Sequence, residues 1–596
     1  MTKESIYRYD TFEDGKILHN KSKRHLPAMG WNSWNAFGSG NTEALTKVMA
    51  DKLVELGLDK LGYKYVVLDD GCYKPERVDG LLSNEEVKFP SGFKSLADYI
   101  HAKGLKFGMY NDIGTNLCAG AAVGTCGHEP EDARTYIDWD VDFLKVDNCY
   151  YLWDNATFSD PTNAKYVFAP NIKYVKLCKL AKENLSESDI LATYNAVDGV
   201  LTGERACIKD DYATYIGTFD GTGPDRTPVG AQSSELRFNI TVEEAGDYGL
   251  IIGYATGQEE GVGSFLQIQV EAVREELIYD DFLEETETPE SFVESALIPI
   301  NLTKGTSTLR LMNHRRQENT LGSYGILVRE LTAQAPDRDV ILSICEWGKT
   351  SPQNWGYKVG DSWRILNDIT FQVGSDGDPG VAAWISDYTT SVMAQYNKAV
   401  IMDEYAGLDK GWNDPDMMMI GMNGLDETQC RTHMTMWSMM CSPLMLGLDL
   451  RRVTLGDWIY NIISNKNMVD INQDTLGIQA KRIYTTIPTT DPDHEYIRDN
   501  KRVDVLAKPM SDGSIVLSII NADNENTYRD ICVSKSLVMD MIGSKVVDID
   551  SWKSATKYQI TNMWTDEAYT TTDDRWGVDS IEPCDNYTIR ITPTIK

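Results

Sequence analysis

Charged side chains recur in this sequence at the points where short apolar runs end. The run 141–146 is followed by Asp147, and Lys145 precedes that carboxylate by two residues, so both side chains are expected on one face of a strand. A carboxylate at the end of a buried parallel strand, beside a cation, stays ionised and faces a cleft. Such a group can act as a nucleophile. The alternative is that Asp147 only caps the turn or helix that follows the strand.

The same arrangement is repeated along the chain. We expect the charged groups at these strand ends to meet at the mouth of one barrel of parallel strands: Asp69, Asp70, Lys145, Asp147, Glu346, Arg364 and Asp368. Glycoside hydrolysis needs two carboxylates that flank the scissile bond, and further charged groups can hold sugar hydroxyls. A magnesium or calcium centre is the alternative, since carboxylates also bind these ions. Because two cations would repel the metal and no histidine stands at these strand ends, we expect no metal in the catalytic site.

Apolar runs alternate with amphipathic segments in two parts of the chain. Strands are predicted at 63–68, 105–110, 141–146, 339–344, 399–402 and 444–449, and helices at 41–56, 93–102, 171–185, 432–440 and 457–465. Strand, polar strand end and helix in repetition are typical of an α/β protein with a parallel (β/α)8 TIM barrel. Such barrels place their active sites at the carboxyl ends of the strands.

The pattern changes to alternating polar and apolar segments between these two parts and again after them. Strands predicted at 234–240, 247–254, 265–270, 297–302, 307–312 and 324–328 indicate an inserted β-sandwich. The predicted domains are a first barrel half at 1–191, with residues 1–25 as an edge strand and loop, the insert at 192–335, a second barrel half at 336–473 and a C-terminal antiparallel β-sandwich at 474–596. We expect the insert to join a helix to a strand at the amino-terminal face of the barrel, away from the pocket.

Composition narrows the range of partners. The 596 residues include 57 basic and 90 acidic ones, for a net charge of −33, which disfavours nucleic acid and anionic membranes. No run of about twenty apolar residues is long enough to span a bilayer. The start lacks the apolar segment of a signal peptide, so we expect a cytoplasmic protein unless a signal has been removed. Eleven cysteines without a CxxC pair predict mostly reduced thiols.

The ordered motifs MGWNSW, LDDG, GMYNDIG, KVDNCY, CEWG, WNDPDM and INQDTLG resemble glycoside hydrolase family 27, the α-galactosidases and α-N-acetylgalactosaminidases. The resemblance covers about residues 26–185 and 338–480. It implies a retaining, exo-acting α-galactosidase that removes terminal α-linked D-galactose by double displacement and needs no cofactor. A small-molecule or oligosaccharide substrate is the expected partner, and a homo-oligomer is compatible with the sequence.

The resemblance also assigns residues. Asp147 matches the nucleophile and Asp368 the general acid/base, and the sugar-binding positions match Trp34, Asp69, Asp70, Tyr110, Lys145, Glu346, Arg364 and Met417. Cys118 and Cys149 match a family disulfide, whereas Gly71-Cys72 and Gly360 depart from the positions of two others. Glu346 matches the position beside the sugar 2-substituent, where a carboxylate favours galactose over N-acetylgalactosamine. A β-L-arabinopyranosidase and an α-N-acetylgalactosaminidase remain alternatives, and a non-catalytic carbohydrate-binding protein is the alternative from another class.

The inserted segment resembles carbohydrate-binding modules of families 6 and 35. The matching stretches are 246–250, 254–255 and 305–311. Such modules often hold a structural calcium ion, for which Glu204 is a candidate ligand. The alternative is a sandwich with a purely structural role.

Overall fold

The computed structural model describes residues 25–114, 116–149, 170–179, 187–202, 206–214, 216, 235–256, 265–271, 275–312, 317–348, 351–386 and 390–594. The edge strand predicted in residues 1–25 and the candidate calcium ligand Glu204 lie outside these ranges, apart from residue 25 itself. Within them, no helix is both long enough and apolar enough to cross a bilayer.

The chain first forms half of a parallel barrel. Its strands are β1 (Met29–Asn32), β2 (Tyr65–Val67), β3 (Lys106–Asp112) and β4 (Phe143–Asp147), each hydrogen-bonded to the next. The helices between them are α1 (Ser33–Phe37), α2 (Glu43–Glu55), α3 (Leu58–Leu61), α4 (Phe93–His101) and α5 (Glu129–Asp138). β1 and β2 approach so closely that a Cβ on Gly30 would lie 2.2 Å from the Tyr65 carbonyl oxygen, so only glycine fits there.

A two-sheet sandwich follows the first barrel half. Its strands are β5 (Asn171–Lys179), β6 (Ile190–Asn195), β7 (Val200–Thr202), β8 (Cys207–Lys209), β9 (Tyr212–Thr214), β10 (Glu235–Val242), β11 (Gly246–Ala255), β12 (Phe265–Glu271), β13 (Glu275–Phe282), β14 (Val293–Glu294), β15 (Ile298–Leu302) and β16 (Gly305–Met312). One sheet has the order β13-β12-β16-β10-β7 and the other the order β14-β11-β5-β9-β8, with β15 on β11 and β6 on β5. Both sheets contribute to one hydrophobic core, and the predicted sandwich is confirmed.

The helix predicted at 171–185 is wrong, because Asn171–Lys179 is the strand β5 of this sandwich. The pairing of β5 with β11 skips Lys173, which forms a bulge. The bulge brings Ile172 and Val175, three residues apart, into the same core. The apolar spacing therefore imitates that of a helix.

The strand predicted at 324–328 is also wrong. These residues belong to a long helix, α6 (Gln317–Gln334). The buried residues of this helix recur at helical spacing, namely Tyr324, Leu327, Val328 and Leu331. Within 324–328 alone the apolar run is too short to distinguish a strand from a helix. The helix packs on α5, and the Tyr324 hydroxyl donates a hydrogen bond to the Val146 carbonyl oxygen in β4 (2.9 Å), so α6 belongs to the barrel.

These two corrections move the insert to the other face of the barrel. The sandwich lies between β4 and α6, which is a strand-to-helix connection, whereas we predicted a helix-to-strand connection. Strand-to-helix connections leave from the carboxyl ends of the barrel strands. The sandwich therefore starts from the face that carries Asp147 and does not start at the opposite face.

The second barrel half completes the ring. Its elements are β17 (Ile341–Cys345), β18 (Ser362–Arg364), α7 (Val392–Ala399), β19 (Trp412–Asp414), α8 (Glu427–Met439), β20 (Leu444–Leu446), α9 (Trp458–Ile463) and α10 (Lys466–Asn472). β20 pairs with β1, and a parallel bridge between Met418 and Leu446 closes the ring beyond β19. The strand predicted at 399–402 is wrong, since this apolar run is the end of α7 and the following turn, and β19 takes its place.

The C-terminal part is an antiparallel β-domain, as predicted. Its strands are β21 (Lys481–Thr485), β22 (Val503–Pro509), β23 (Ile515–Asn521), β24 (Tyr528–Ser534), β25 (Tyr558–Asn562), β26 (Ala568–Thr571), β27 (Arg575–Ile581) and β28 (Asn586–Pro593), with helices α11 (Lys535–Ile542) and α12 (Ile549–Ser554). Six strands form the sheet β21-β22-β23-β28-β25-β26, and β24 pairs with β27.

The assignment of α6 to the barrel can be tested with two deletions. Removing 171–312 takes out the sandwich strands and leaves α6 in place, so we expect a soluble protein that melts cooperatively. Removing 171–334 also takes out α6 and exposes the apolar side of α5, so we expect aggregation or a melting temperature at least about 10 °C lower. Equal behaviour of both variants in thermal melts and size-exclusion chromatography would contradict the assignment.

Candidate active site

Alternation along the barrel strands decides which side chains reach the mouth. In β4, Phe143, Lys145 and Asp147 occupy alternate positions and therefore lie on the same face of the strand. Towards the carboxyl end of the strand, this face carries first an apolar ring, then an ammonium group and then a carboxylate. In the neighbouring β3, Tyr110 lies opposite Lys145 and Asp112 lies opposite Asp147. The lower layer is filled by apolar side chains, namely Tyr65, Val67, Phe143, Ile341, Met417 and Met445.

A cavity of about 210 Å³ lies above this apolar layer. Its walls include seven of the ten predicted site residues: Trp34, Asp69, Asp70, Tyr110, Lys145, Asp147 and Asp368. Cys118, which was predicted only as half of a disulfide, also lines the cavity, as do Trp347 and Asn367, which sequence reasoning missed. Trp347 follows the predicted Glu346 within the CEWG motif and has a positive φ of 61°, an uncommon conformation for a large residue.

The other three predicted residues lie outside this cavity. Arg364 and Met417 line a smaller cavity of about 30 Å³, and Lys145 lines both cavities. Glu346 is buried and is not among the lining residues of either cavity.

Asp147 is held at both of its carboxylate oxygens. The Tyr110 hydroxyl donates to Oδ2 (3.0 Å), and the Asn148 backbone N–H donates to Oδ1 (2.9 Å). Burial, together with the nearby Asp112 carboxylate, raises the pKa of Asp147 to about 8, although Lys145 acts in the opposite direction. Asp147 is thus fixed in position, and its ionisation depends on the surrounding charges.

Lys145 forms the central ion pair of the cavity. Its Nζ lies 2.7 Å from Asp69 Oδ2, and Asn32 Nδ2 donates to the same oxygen (2.8 Å). Asp70 accepts hydrogen bonds from the backbone N–H groups of Gly71 and Ala119, and burial raises its pKa to about 6. These contacts hold the adjacent carboxylates of Asp69 and Asp70 in fixed positions on one wall of the cavity.

Arg364 organises the opposite wall. Its buried Nη2 lies 3.1 Å from Asp368 Oδ1 and 2.9 Å from Asp416 Oδ2. The Asp416 carboxylate also accepts hydrogen bonds from the backbone N–H groups of Ile369 and Met417 (2.8 Å each). Asp416 was not predicted as a site residue, although it lies within the motif WNDPDM.

Cys118 and Cys149 form a disulfide beside Asp147, as the resemblance implied. With Asp112 and Asp147 they make a compact group of oxygen and sulfur atoms. Because the two sulfurs are bonded to each other, neither is available as the thiolate that a metal ion would need.

Comparison with known proteins agrees with this geometry. The family model for alpha galactosidase A matches residues 26–165 and 322–474, which contain the eight barrel strands and leave out the sandwich. The alpha-galactosidase A of Cellvibrio japonicus is 25% identical over 510 residues, covering 84% of this chain and 78% of that protein.

Solved structures show the same fold. The α-galactosidase I of Mortierella vinacea matches 98% of this chain and 99% of its own, with a TM-score of 0.57 and 20% identity. A family 27 β-L-arabinopyranosidase from Geobacillus stearothermophilus matches 98% of this chain and 99% of its own, with a TM-score of 0.55 and 15% identity. With its barrel halves matched by the family model and its motifs in order around one cavity, this chain belongs to glycoside hydrolase family 27.

Proposed function

We propose that the protein is a retaining, exo-acting α-galactosidase. The observation that carries the proposal is that Asp147 and Asp368 line one cavity together with the Lys145–Asp69 ion pair and Asp70. Two carboxylates acting on one bond are the requirement for glycoside hydrolysis, and fixed charged groups suit a ligand that is rich in hydroxyls. The similarity to proteins named as α-galactosidases supports galactose as the sugar.

The reaction proceeds in two displacements. The Asp147 carboxylate attacks the anomeric carbon, while Asp368 gives its proton to the glycosidic oxygen, so that the aglycone leaves as an alcohol. Asp368 then takes a proton from water, and the resulting hydroxide attacks the glycosyl–Asp147 ester. Galactose leaves with its α configuration retained, and both carboxyl groups return to their starting states.

This mechanism requires an ionised Asp147 and a protonated Asp368. In addition to burial, the nearby Asp368 carboxylate raises the pKa of Asp147, and the Lys145 ammonium group lowers it, so the cation favours the charged form that attacks. The hydrogen bonds from Tyr110 and Asn148 stabilise the charged form of Asp147. The Asp368 side chain is 46% exposed, so it can exchange protons with solvent between the two steps.

The closed base of the cavity supports exo action. The apolar layer of Tyr65, Phe143 and Met445 lies beneath the charged groups, so a sugar chain cannot pass through the barrel. A single terminal sugar fits a cavity that is closed at one end. In this pose Trp34 offers a flat apolar face to the ring, and Asp69 and Asp70 accept hydrogen bonds from its hydroxyls.

The remaining substrate contacts rest on the resemblance. Glu346 is proposed to face the 2-substituent, Arg364 is proposed to bind a sugar hydroxyl, and Met417 is proposed to line the pocket. A β-L-arabinopyranoside lacks only the hydroxymethyl group of galactose, so it is the second candidate substrate. A solved arabinopyranosidase with this fold keeps that candidate open.

The roles of the two carboxylates can be separated by leaving group. Asp147→Asn should lower turnover of every α-galactoside at least about 1000-fold, because no nucleophile remains. Asp368→Asn should lose about 100- to 10,000-fold on alkyl galactosides but much less on aryl galactosides, whose good leaving groups need little acid assistance. The measurement is kcat/KM on both substrate types. Equal losses on both for Asp368→Asn would contradict its role.

The buried position of Asp147 should be visible in stability. Its folded pKa of about 8 lies above the value of about 3.9 for an unfolded aspartate, so the folded state binds the proton more tightly. The stabilisation from this group is therefore complete below about pH 4 and is lost as the pH rises from about 4 to 8. Asp147→Asn carries no charge, so it should raise the melting temperature over wild type more at pH 8 than at pH 5. Asp376→Asn, at a position 65% exposed, is the matched control and should show no such trend.

A panel of aryl glycosides tests the sugar. We expect wild type to prefer the α-galactoside over the β-L-arabinopyranoside and to turn over the α-N-acetylgalactosaminide least. Glu346→Ala should raise the relative rate on the N-acetylated substrate if the carboxylate excludes the acetamide group. An unchanged ratio would remove Glu346 from the specificity argument, and no turnover of any substrate would favour a binding protein.

A further inference from the structure

A second cluster of charged groups lies far along the chain from the catalytic residues, where the C-terminal domain meets the barrel. The segment from Asp491 to His494 precedes β22, and its carboxylates surround one imidazole. His494 Nδ1 lies 3.3 Å from Asp491 Oδ1 and 3.5 Å from Asp493 Oδ1. All three ligand atoms lie within 4.8 Å of one another.

We propose that Asp491, Asp493 and His494 bind one divalent transition-metal ion, with zinc as the best match. Zinc–nitrogen and zinc–oxygen bonds of about 2.0–2.2 Å in a tetrahedron place neighbouring ligand atoms roughly 3.3–3.6 Å apart. The two distances from Nδ1 agree with this spacing. One imidazole nitrogen and two carboxylate oxygens form a donor set suited to zinc, with water in the fourth position.

The other imidazole nitrogen faces the barrel. His494 Nε2 is buried without a hydrogen bond, and it lies 3.8 Å from Asp403 Oδ1 and 3.4 Å from Glu404 Oε1. Asp403 is a fully buried side chain of the barrel, and its Oδ1 likewise has no hydrogen bond. Histidines that bind a metal usually donate their second N–H to a carboxylate, which fixes the tautomer. Asp403 and Glu404 both present a carboxylate oxygen to Nε2, and a small rotation of the imidazole would bring one of them within hydrogen-bond distance. A bound ion would then connect the two domains through His494.

Two lysines pair with the Oδ2 atoms of Asp493 and Asp403, whereas the Oδ1 atoms of these carboxylates face His494. Lys481 Nζ lies 2.7 Å from Asp493 Oδ2, and Lys545 Nζ lies 3.5 Å from Asp403 Oδ2. Four carboxylates, including Glu404, against these two ammonium groups leave a net charge of −2 when the imidazole is neutral. A divalent cation would balance that charge.

The segment is held in place independently of any ion. Buried Arg482 donates hydrogen bonds to the backbone carbonyl oxygens of Pro492 and Glu495, on both sides of His494. Lys481 and Arg482 both lie in β21, so the cluster is anchored to a strand of the C-terminal sheet. A fixed backbone lowers the cost of arranging three ligands around an ion.

Zinc content of the full-length protein tests the proposal. After incubation with zinc and dialysis, we expect one zinc ion per chain and a melting temperature several degrees above that of the chelator-treated protein. His494→Gln and Asp491→Asn should each weaken binding at least tenfold and remove the thermal shift. Glu495→Gln alters a neighbouring carboxylate outside the cluster, so this variant should keep both the zinc affinity and the thermal shift. Asp403→Asn should weaken binding about 10- to 100-fold, since it neutralises the buried carboxylate that faces Nε2 and leaves the three ligands in place.

Each variant changes one side chain, either in the segment from Asp491 to Glu495 or at Asp403, so a loss of zinc can be assigned to this cluster. The chain contains seven histidines, so zinc bound elsewhere would survive in His494→Gln. Zinc retained by that variant, or no zinc retained by wild type, would overturn the proposal. Melting of the chelator-treated variants at the wild-type temperature shows that any loss of zinc does not come from misfolding. None of these measurements depends on galactosidase activity, so they stand apart from the test of the catalytic site.

Discussion

The ion pair between the half-buried Lys145 and Asp69 is the interaction on which the barrel mouth depends. Asp69, Asp70, Asp147 and Asp416 all lie near the ammonium group, and such a concentration of carboxylates would repel itself without a central cation. Burial alone would lower the pKa of Lys145, but Asp69 and the other acidic groups raise it well above its usual range. The lysine therefore stays charged where a cation is costly, and the acidic wall is stable only while it does.

Strand order gives this interaction its geometry. Lys145 in β4 reaches Asp69, which follows β2, across the intervening β3, and its ammonium group lies 5.6 Å from the centre of the Tyr110 ring. Tyr110 in turn donates a hydrogen bond to Asp147. Arg364 acts in the same way on the other wall, between Asp368 and Asp416. Each carboxylate assigned to catalysis thus has a cation nearby, and each cation is shared with a second carboxylate that is not assigned to bond breaking.

The residues that could be predicted are those whose place follows from local sequence. Asp69, Lys145 and Asp147 end or flank apolar runs, so alternation alone brings them to one mouth. Trp347 and Asn367 lie in irregular segments, where no periodicity indicates the direction of a side chain. Asp416 reaches Arg364 from a backbone with φ of 74°, a turn that depends on tertiary contacts. The wrong helix at 171–185 has a comparable origin, since one bulge residue in β5 changed the apparent period of the apolar positions.

The place of the sandwich between β4 and α6 has a consequence for synthesis of the chain. β4 pairs with β3 on one side and with β17 on the other, and about 190 residues separate Asp147 from the start of β17. At translation rates of about 5–20 residues per second, the open edge of β4 waits roughly 10–40 seconds for its partner. During that time the first four strands expose an unpaired edge and the apolar positions that α6 later covers. A sandwich that folds promptly on its own would bring the ends of the interruption together and shorten the search when β17 emerges.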